Sequence, residues 1–341
     1  MTTATTVSSA ASSPSASRSR FAFAAATLTV MTAACGIAGS APIGFSIATV
    51  FLFAGPHNWF EARYFLSKMP ARWGKLRVYF VTGIGGVLGL TAGPIGMGAA
   101  LRWSNAGAFG WRLGVTIWNT VLVVWIVGLV LLRSRQNPRR PNWDFAAPIG
   151  LALIAFTWLW PFAWSMALVY LHPLVALLFL DRELGKRNRD WQIVYRRCLL
   201  LAPVMLVVLW KRLANSPDLP GDDLLTMQIT HHAGASVFQG VSSHLLVSTH
   251  TFLEMLHYAV WVAAVPLLTL KTAPWRLDNV PLAKRSAVWR TIVVGLLAFG
   301  ACVALALWGG FMVDYAWTRD VYFTIALLHV LAEVPFLLRL L

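Results

Sequence analysis

The residues with most chemistry to offer are His250, Glu254 and His257, in the run HTFLEMLHYAVW. Positions three, four and seven apart share one face of a helix, so these three stack within two turns. The same H-x-x-x-E spacing recurs at His57/Glu61 and His329/Glu333, each within an apolar segment. Imidazole and carboxylate together suit first-row metals such as iron, copper or zinc. A carboxylate one turn away either ligates directly or orients the imidazole by accepting its N–H. The E-x-x-H spacing of Glu254/His257 is also that of di-iron carboxylate bundles, whose ligands project from facing helices.

His231-His232 adds a further imidazole pair, and all eight histidines fall in or beside apolar segments rather than in basic loops. Ionisable side chains inside a membrane are costly and point to function by default. A single His/Glu pair is as readily a structural hydrogen bond, but three pairs together predict a shared polar site. The metal candidates are His57, His231, His232, His250, His257 and His329. Glu61, Glu254 and Glu333 would orient ligands or move protons. His172, followed by Pro173, reads instead as a helix–helix hydrogen-bond donor, and Trp and Tyr read as interface-belt residues.

The elements that must position these groups are membrane spans. Of 341 residues 58% are hydrophobic and only 12% charged, with mean hydropathy +0.65. Soluble domains carry about 25% charged residues, so the chain is a polytopic membrane protein. Its net charge of +15 comes from basic clusters between apolar runs, as the positive-inside rule and contact with anionic lipid predict. No soluble basic domain is left to bind nucleic acid. Cys35, Cys198 and Cys302 lie far apart, with no metal-binding or disulfide spacing.

Residues 1–20, rich in Ser, Thr and Ala, predict a disordered tail, and 21–341 a single all-α integral membrane domain. About ten spans fit the apolar runs: near 21–38, 43–62, 78–100 and 114–132, two within 145–180 divided at Pro161, a short one at 198–210, then 250–270, 291–313 and one ending near Leu338. The basic loops 63–77, 133–144, 181–197 and 271–290 then fall on the cytoplasmic side of an inner membrane together with both termini, while acidic SPDLPGDD falls outside. That parity holds only if 227–249 does not cross, which predicts a re-entrant or interfacial helix there.

GPHNWFE at Gly55–Glu61 resembles the Pro-His-Gly-x-x-Asp signature of the Brp/Blh family, with Asn58 where that family has Gly and Glu61 where it has Asp. His231-His232 resembles that family's His-His motif. The resemblance implies an iron-dependent membrane dioxygenase that cleaves β-carotene to retinal, with His57, His231 or His232, and His250 or His257 as iron ligands. The histidine boxes of membrane desaturases and alkane hydroxylases are absent from this sequence.

The expected function is a non-haem metal (iron) oxygenase or oxidase whose lipid-soluble substrate enters laterally between helices. Two rivals remain open: a proton-coupled transporter with an intramembrane His/Glu relay, and a haem protein with bis-His ligation through His57 and His329. A non-catalytic scaffold is the plainest alternative. The histidines fall at different depths of the spans, so they form either one centre or two, and their convergence would favour the metal reading.

Overall fold

Proline lacks an N–H and fixes φ, so it opens a helix readily and breaks one that would otherwise run on. In the computed structural model, helix α1 (Pro14–Ser40) gives way to α2 (Pro42–Lys68) at Pro42, and α5 (Ala146–Leu159) to α6 (Pro161–Arg187) at Pro161. The structure describes residues 14–104, 107–136, 142–270 and 275–340. Residues 1–13 of the expected disordered tail, and Arg139, Arg140 and Lys271 of the expected basic loops, lie outside the described residues. Helix α1 already begins at Pro14, inside that expected tail.

The remaining helices are α3 (Arg77–Ser104), α4 (Gly107–Arg135), α7 (Arg189–Leu199), α8 (Leu201–Leu213), α9 (Leu224–His232), α10 (Ser243–Tyr258), α11 (Val265–Leu268), α12 (Ala287–Val313) and α13 (Tyr315–Leu340). A π-helical stretch, Ala259–Ala264, joins α10 to α11. The described residues contain no strand. Among them eight helical segments are long and apolar enough to cross a membrane. Helix α2, equally long at 27 residues, falls outside that set because its second half carries His57, Asn58, Glu61 and Arg63.

Two expectations need correction. The charged segment 181–197 is not a loop: α6 runs on to Arg187 and α7 begins at Arg189. Asn188 turns the chain by accepting from the Trp191 N–H, and Asp181 clamps the turn by accepting from Arg196 at 2.7 Å. Charged residues such as Lys, Arg and Glu are good helix formers, so a polar run need not be irregular.

Nor is 227–249 one re-entrant helix. Helix α9 ends at His232, and Gly234 (φ 93°) and Gly240 (φ 84°) turn the chain in the left-handed region that side chains avoid. Helix α10 therefore starts at Ser243 rather than near His250. Asp218 accepts from the Ser243 N–H at 2.7 Å, and Asp223 caps α9 by accepting from the Thr226 N–H at 2.8 Å. These bonds hold both carboxyls below the ordinary aspartate range. A depressed folded-state pKa stabilises at pH above the unfolded value, a gain lost as pH falls through the lowered one. Loosening of this segment in acid, followed by hydrogen exchange at α9, is expected in wild type and absent in Asp218→Asn/Asp223→Asn.

Helix α2 occupies the centre, packed against α10, α12 and α13. Gly55 makes the approach to α12 possible, since a Cβ there would lie 2.8 Å from Ala304 Cβ and 2.9 Å from its Cα. Below it Phe65 stacks on Phe336 at 4.4 Å, with Tyr64, Phe179 and Trp261 closing a buried aromatic layer. Helices α3 and α4 meet where the Trp125 indole donates to Thr82 O across the bare face of Gly86. A methyl group at Gly86 would overlap that ring. Gly86→Ala should therefore destabilise by about 1–3 kcal/mol through overpacking, read as a lower thermal midpoint in detergent.

Candidate metal centre

The centre is assembled from four helices, each contributing one imidazole. On α2 the ring of His57 follows Pro56, and its Nδ1 lies 2.9 Å from Phe53 O. A carbonyl can only accept, so Nδ1 carries the proton and Nε2 presents a lone pair. That lone pair faces Nε2 of His329 on α13 at 3.4 Å. His257 on α10 comes in at a ring separation of 5.3 Å from His57. His172 on α6 lies 4.6 Å from the His257 ring and 5.3 Å from that of His329.

Two carboxylates complete the group. Glu61, one turn beyond His57, is fully buried. Glu333, one turn beyond His329, turns away from its own helix partner, and its Oε2 lies 3.0 Å from His172 Nδ1. The π-helical stretch that follows Tyr258 buries Trp261 completely and turns its indole toward Glu333. Widened turns of this kind recur at functional sites.

Ligand atoms of His57, Glu61, His257 and His329 all lie within 4.8 Å of one another, and so do those of His172, His257 and Glu333. His257 belongs to both sets. Both oxygens of Glu61, both ring nitrogens of His257 and Nδ1 of His329 are buried without a hydrogen-bond partner. Each buried unpaired polar atom costs about 1–3 kcal/mol, so five in one place is a heavy penalty for a site with no ligand. A cation answers part of it, because both Glu61 oxygens and one nitrogen of the His257 ring can donate electron pairs to it, while the other ring nitrogen keeps its proton. The His57–His329 separation fits as well: two imidazole nitrogens each about 2.0–2.1 Å from a tetrahedral ion lie about 3.4 Å apart.

The other expected residues go elsewhere. His232, His250 and Glu254 form a second group, with the His232 and His250 rings 5.0 Å apart. Seven residues separate His250 from His257, about 10 Å along a helix at 1.5 Å per residue. The single convergence of six histidines is therefore corrected to two stations on one helix. His231 is exposed and joins neither; it borders the recess beside the cavity, with Gln228 and Asp320. Helical pitch explains this: adjacent residues point about 100° apart, so His231 and His232 cannot both face inward. His172, read from sequence as a simple hydrogen-bond donor, belongs to the centre through Glu333.

Tyrosines assigned to the interface belt also prove internal. Tyr258 is 2% exposed and donates to Glu254 Oε1 at 2.8 Å, and Tyr322, equally buried, lies beside it. Their place after and between the histidines at helical spacing was a usable sign. Nothing in the sequence marked Arg319, which is 3% exposed and stacks over Phe323 at 4.6 Å.

Both stations line one cavity of about 490 Å³. His57, His172, His257 and His329 form one end, and His232, His250 and Glu254 the other. The facing wall is apolar, built by Trp118, Leu122 and Ile126 of α4 with Leu168 of α6 and Leu327 and Val330 of α13. Comparison with protein-family models, with curated proteins and with solved structures finds no match for this chain.

Proposed function

We propose that the chain is a membrane-embedded non-haem iron oxygenase or oxidase acting on a lipid-soluble substrate. The observation that carries this reading is the set of buried, unpartnered imidazole and carboxylate donors at one end of an otherwise apolar cavity. His57, His257 and His329 would hold the ion, with Glu61 as fourth donor or as the acceptor of a substrate proton. Glu333 holds the His172 ring in place through Nδ1. Iron in an imidazole/carboxylate set would supply activation of dioxygen. The apolar wall would exclude water and admit substrate from the bilayer.

The likeness of GPHNWFE to the Brp/Blh signature agrees with His57 as a ligand and with a polyene-like lipid as substrate class. His257 rather than His231 or His232 would then supply the further ligand. The topology we infer has ten spans in an inner membrane, both termini cytoplasmic. The ends of α2, α6, α11 and α13 meet in one basic layer, which suits a cytoplasmic face rich in anionic lipid. There Lys68 donates to Glu183 at 2.8 Å, Arg187 to Leu268 O at 2.7 Å and Arg339 to Lys68 O at 2.9 Å.

The direct test is metal analysis of the detergent-purified chain handled without oxygen. About one equivalent of iron per chain is expected for a single buried site, and less than about a fifth of an equivalent of any transition metal would overturn the reading. A haem held between His57 and His329 is disfavoured, because ligand atoms of Glu61 and His257 lie within 4.8 Å of both, in the space a macrocycle would fill. A proton relay is the second reading, favoured by the Tyr258–Glu254 hydrogen bond at the other station. Proton-coupled uptake into vesicles, lost in Glu254→Gln, would support it in place of the metal.

A further inference from the structure

The second station has its own unbalanced chemistry. Arg319 is more than nine-tenths buried, and its Nε has no hydrogen-bond partner. Asp320, the acid beside it in sequence, is engaged by the Gln228 amide at 2.8 Å. Glu254 lines the cavity, and Arg319 the recess that meets it at His232 and Phe323. Glu254 Oε1 accepts from Tyr258, but Oε2 has no partner, and His250 Nδ1 at 4.0 Å is too far to donate. A donor lacking an acceptor thus neighbours an acceptor lacking a donor, both within a span.

The surroundings are those of a binding pocket. Glu254, His250, His232 and Phe323 line the apolar cavity, while Arg319 borders an adjoining recess that shares His232 and Phe323 with it. A hydroxyl is the smallest group that meets both needs, since it accepts from the guanidinium and donates to the carboxylate. A carboxylate ligand would answer Arg319 but oppose Glu254, and a hydrocarbon end would answer neither.

We propose that this station is the headgroup pocket of the cavity, and that the lipophilic ligand ends in a hydroxyl held between Arg319 and Glu254. The four-histidine centre would then meet that ligand close to its hydroxyl, since only three residues, about 4.5 Å of helical rise, separate Glu254 from His257. This deepens the proposed function and rests on its reading of the cavity as a substrate site.

The test measures binding of cetyl alcohol, palmitic acid and hexadecane to the full chain in detergent, by tryptophan fluorescence, with iron content read on the same sample. Cetyl alcohol is expected to bind at least about tenfold more tightly than hexadecane, as hydrogen bonds to charged partners warrant. The preference should vanish in Glu254→Leu and in Arg319→Met. Equal binding of the alcohol and the alkane, tighter binding of palmitic acid, or a preference that survives both substitutions would each overturn the headgroup pocket. If the variants do not fold, the wild-type comparison decides alone. Alcohol preference without iron would remove the oxygenase reading and leave this one, and iron without the preference would do the reverse.

Discussion

His257→Leu is expected to strip the chain of its metal while leaving it folded. His257 is the one residue common to both sets of converging ligand atoms, and both its ring nitrogens are buried without partners. If an ion takes up one of them, loss of the ring should lower bound iron from about one equivalent to less than a fifth. The metal-free fold should not suffer, because exchanging an unsatisfied polar group for an apolar one of similar size is close to neutral. Ligand binding to the folded state adds about RT ln(1 + [L]/Kd), so a chelator should lower the thermal midpoint of wild type and leave His257→Leu unmoved. His231→Ala serves as control and should keep its iron, since His231 lies outside the centre. A wild type indifferent to chelator, with His257→Leu markedly less stable, would mean that the ring is there for packing and not for metal.

The second large effect concerns the contact that brings α2 to the centre. Gly55→Val should destabilise the chain by about 3 kcal/mol or more, at the upper end of overpacking costs. The atoms in the way are Ala304 Cβ at 2.8 Å and Ala304 Cα at 2.9 Å, and the second is backbone that no rotamer change can move. Helices α2 and α12 must therefore part. They are stitched on both sides of the contact, Trp59 donating to Leu297 O and Trp308 to Phe51 O, each at 2.8 Å. A shift at Gly55 would thus carry His57, two residues on, away from His329, and iron should fall together with the thermal midpoint. The milder Gly55→Ala should be relieved in part by Ala304→Gly, a coupling expected only for residues in direct contact. Additive effects of that pair would show that the contact does not limit the approach of the helices.

Much of the fold was legible because its causes are local. Runs such as 107–135 or 287–313 are too apolar to remain outside a membrane, and Pro42 and Pro161 each open a new helix. The stretches that misled are those where local composition is ambivalent. Residues 181–197 look like a loop because they are charged, yet two helices and an Asp181–Arg196 clamp use that charge. Residues 227–249 look like one moderately apolar helix, but Gly234 and Gly240 turn the chain before α10 begins.

The sequence alone determined which residues a membrane could not tolerate without purpose: His57, Glu61, Glu254, His257, His329 and Glu333, polar at helical spacing in apolar spans. Periodicity along one helix states which side chains share a face. It cannot state which faces meet. Only the packing of α2, α6, α10 and α13 decided that Glu333 serves His172 rather than its own His329, that His232 and His250 stand apart from the other imidazoles, and that Arg319 lies buried behind them. Those partnerships depend on side-chain contacts between separate helices, such as His172 with Glu333, and no local pattern encodes a contact whose two halves are set by the register of separate helices.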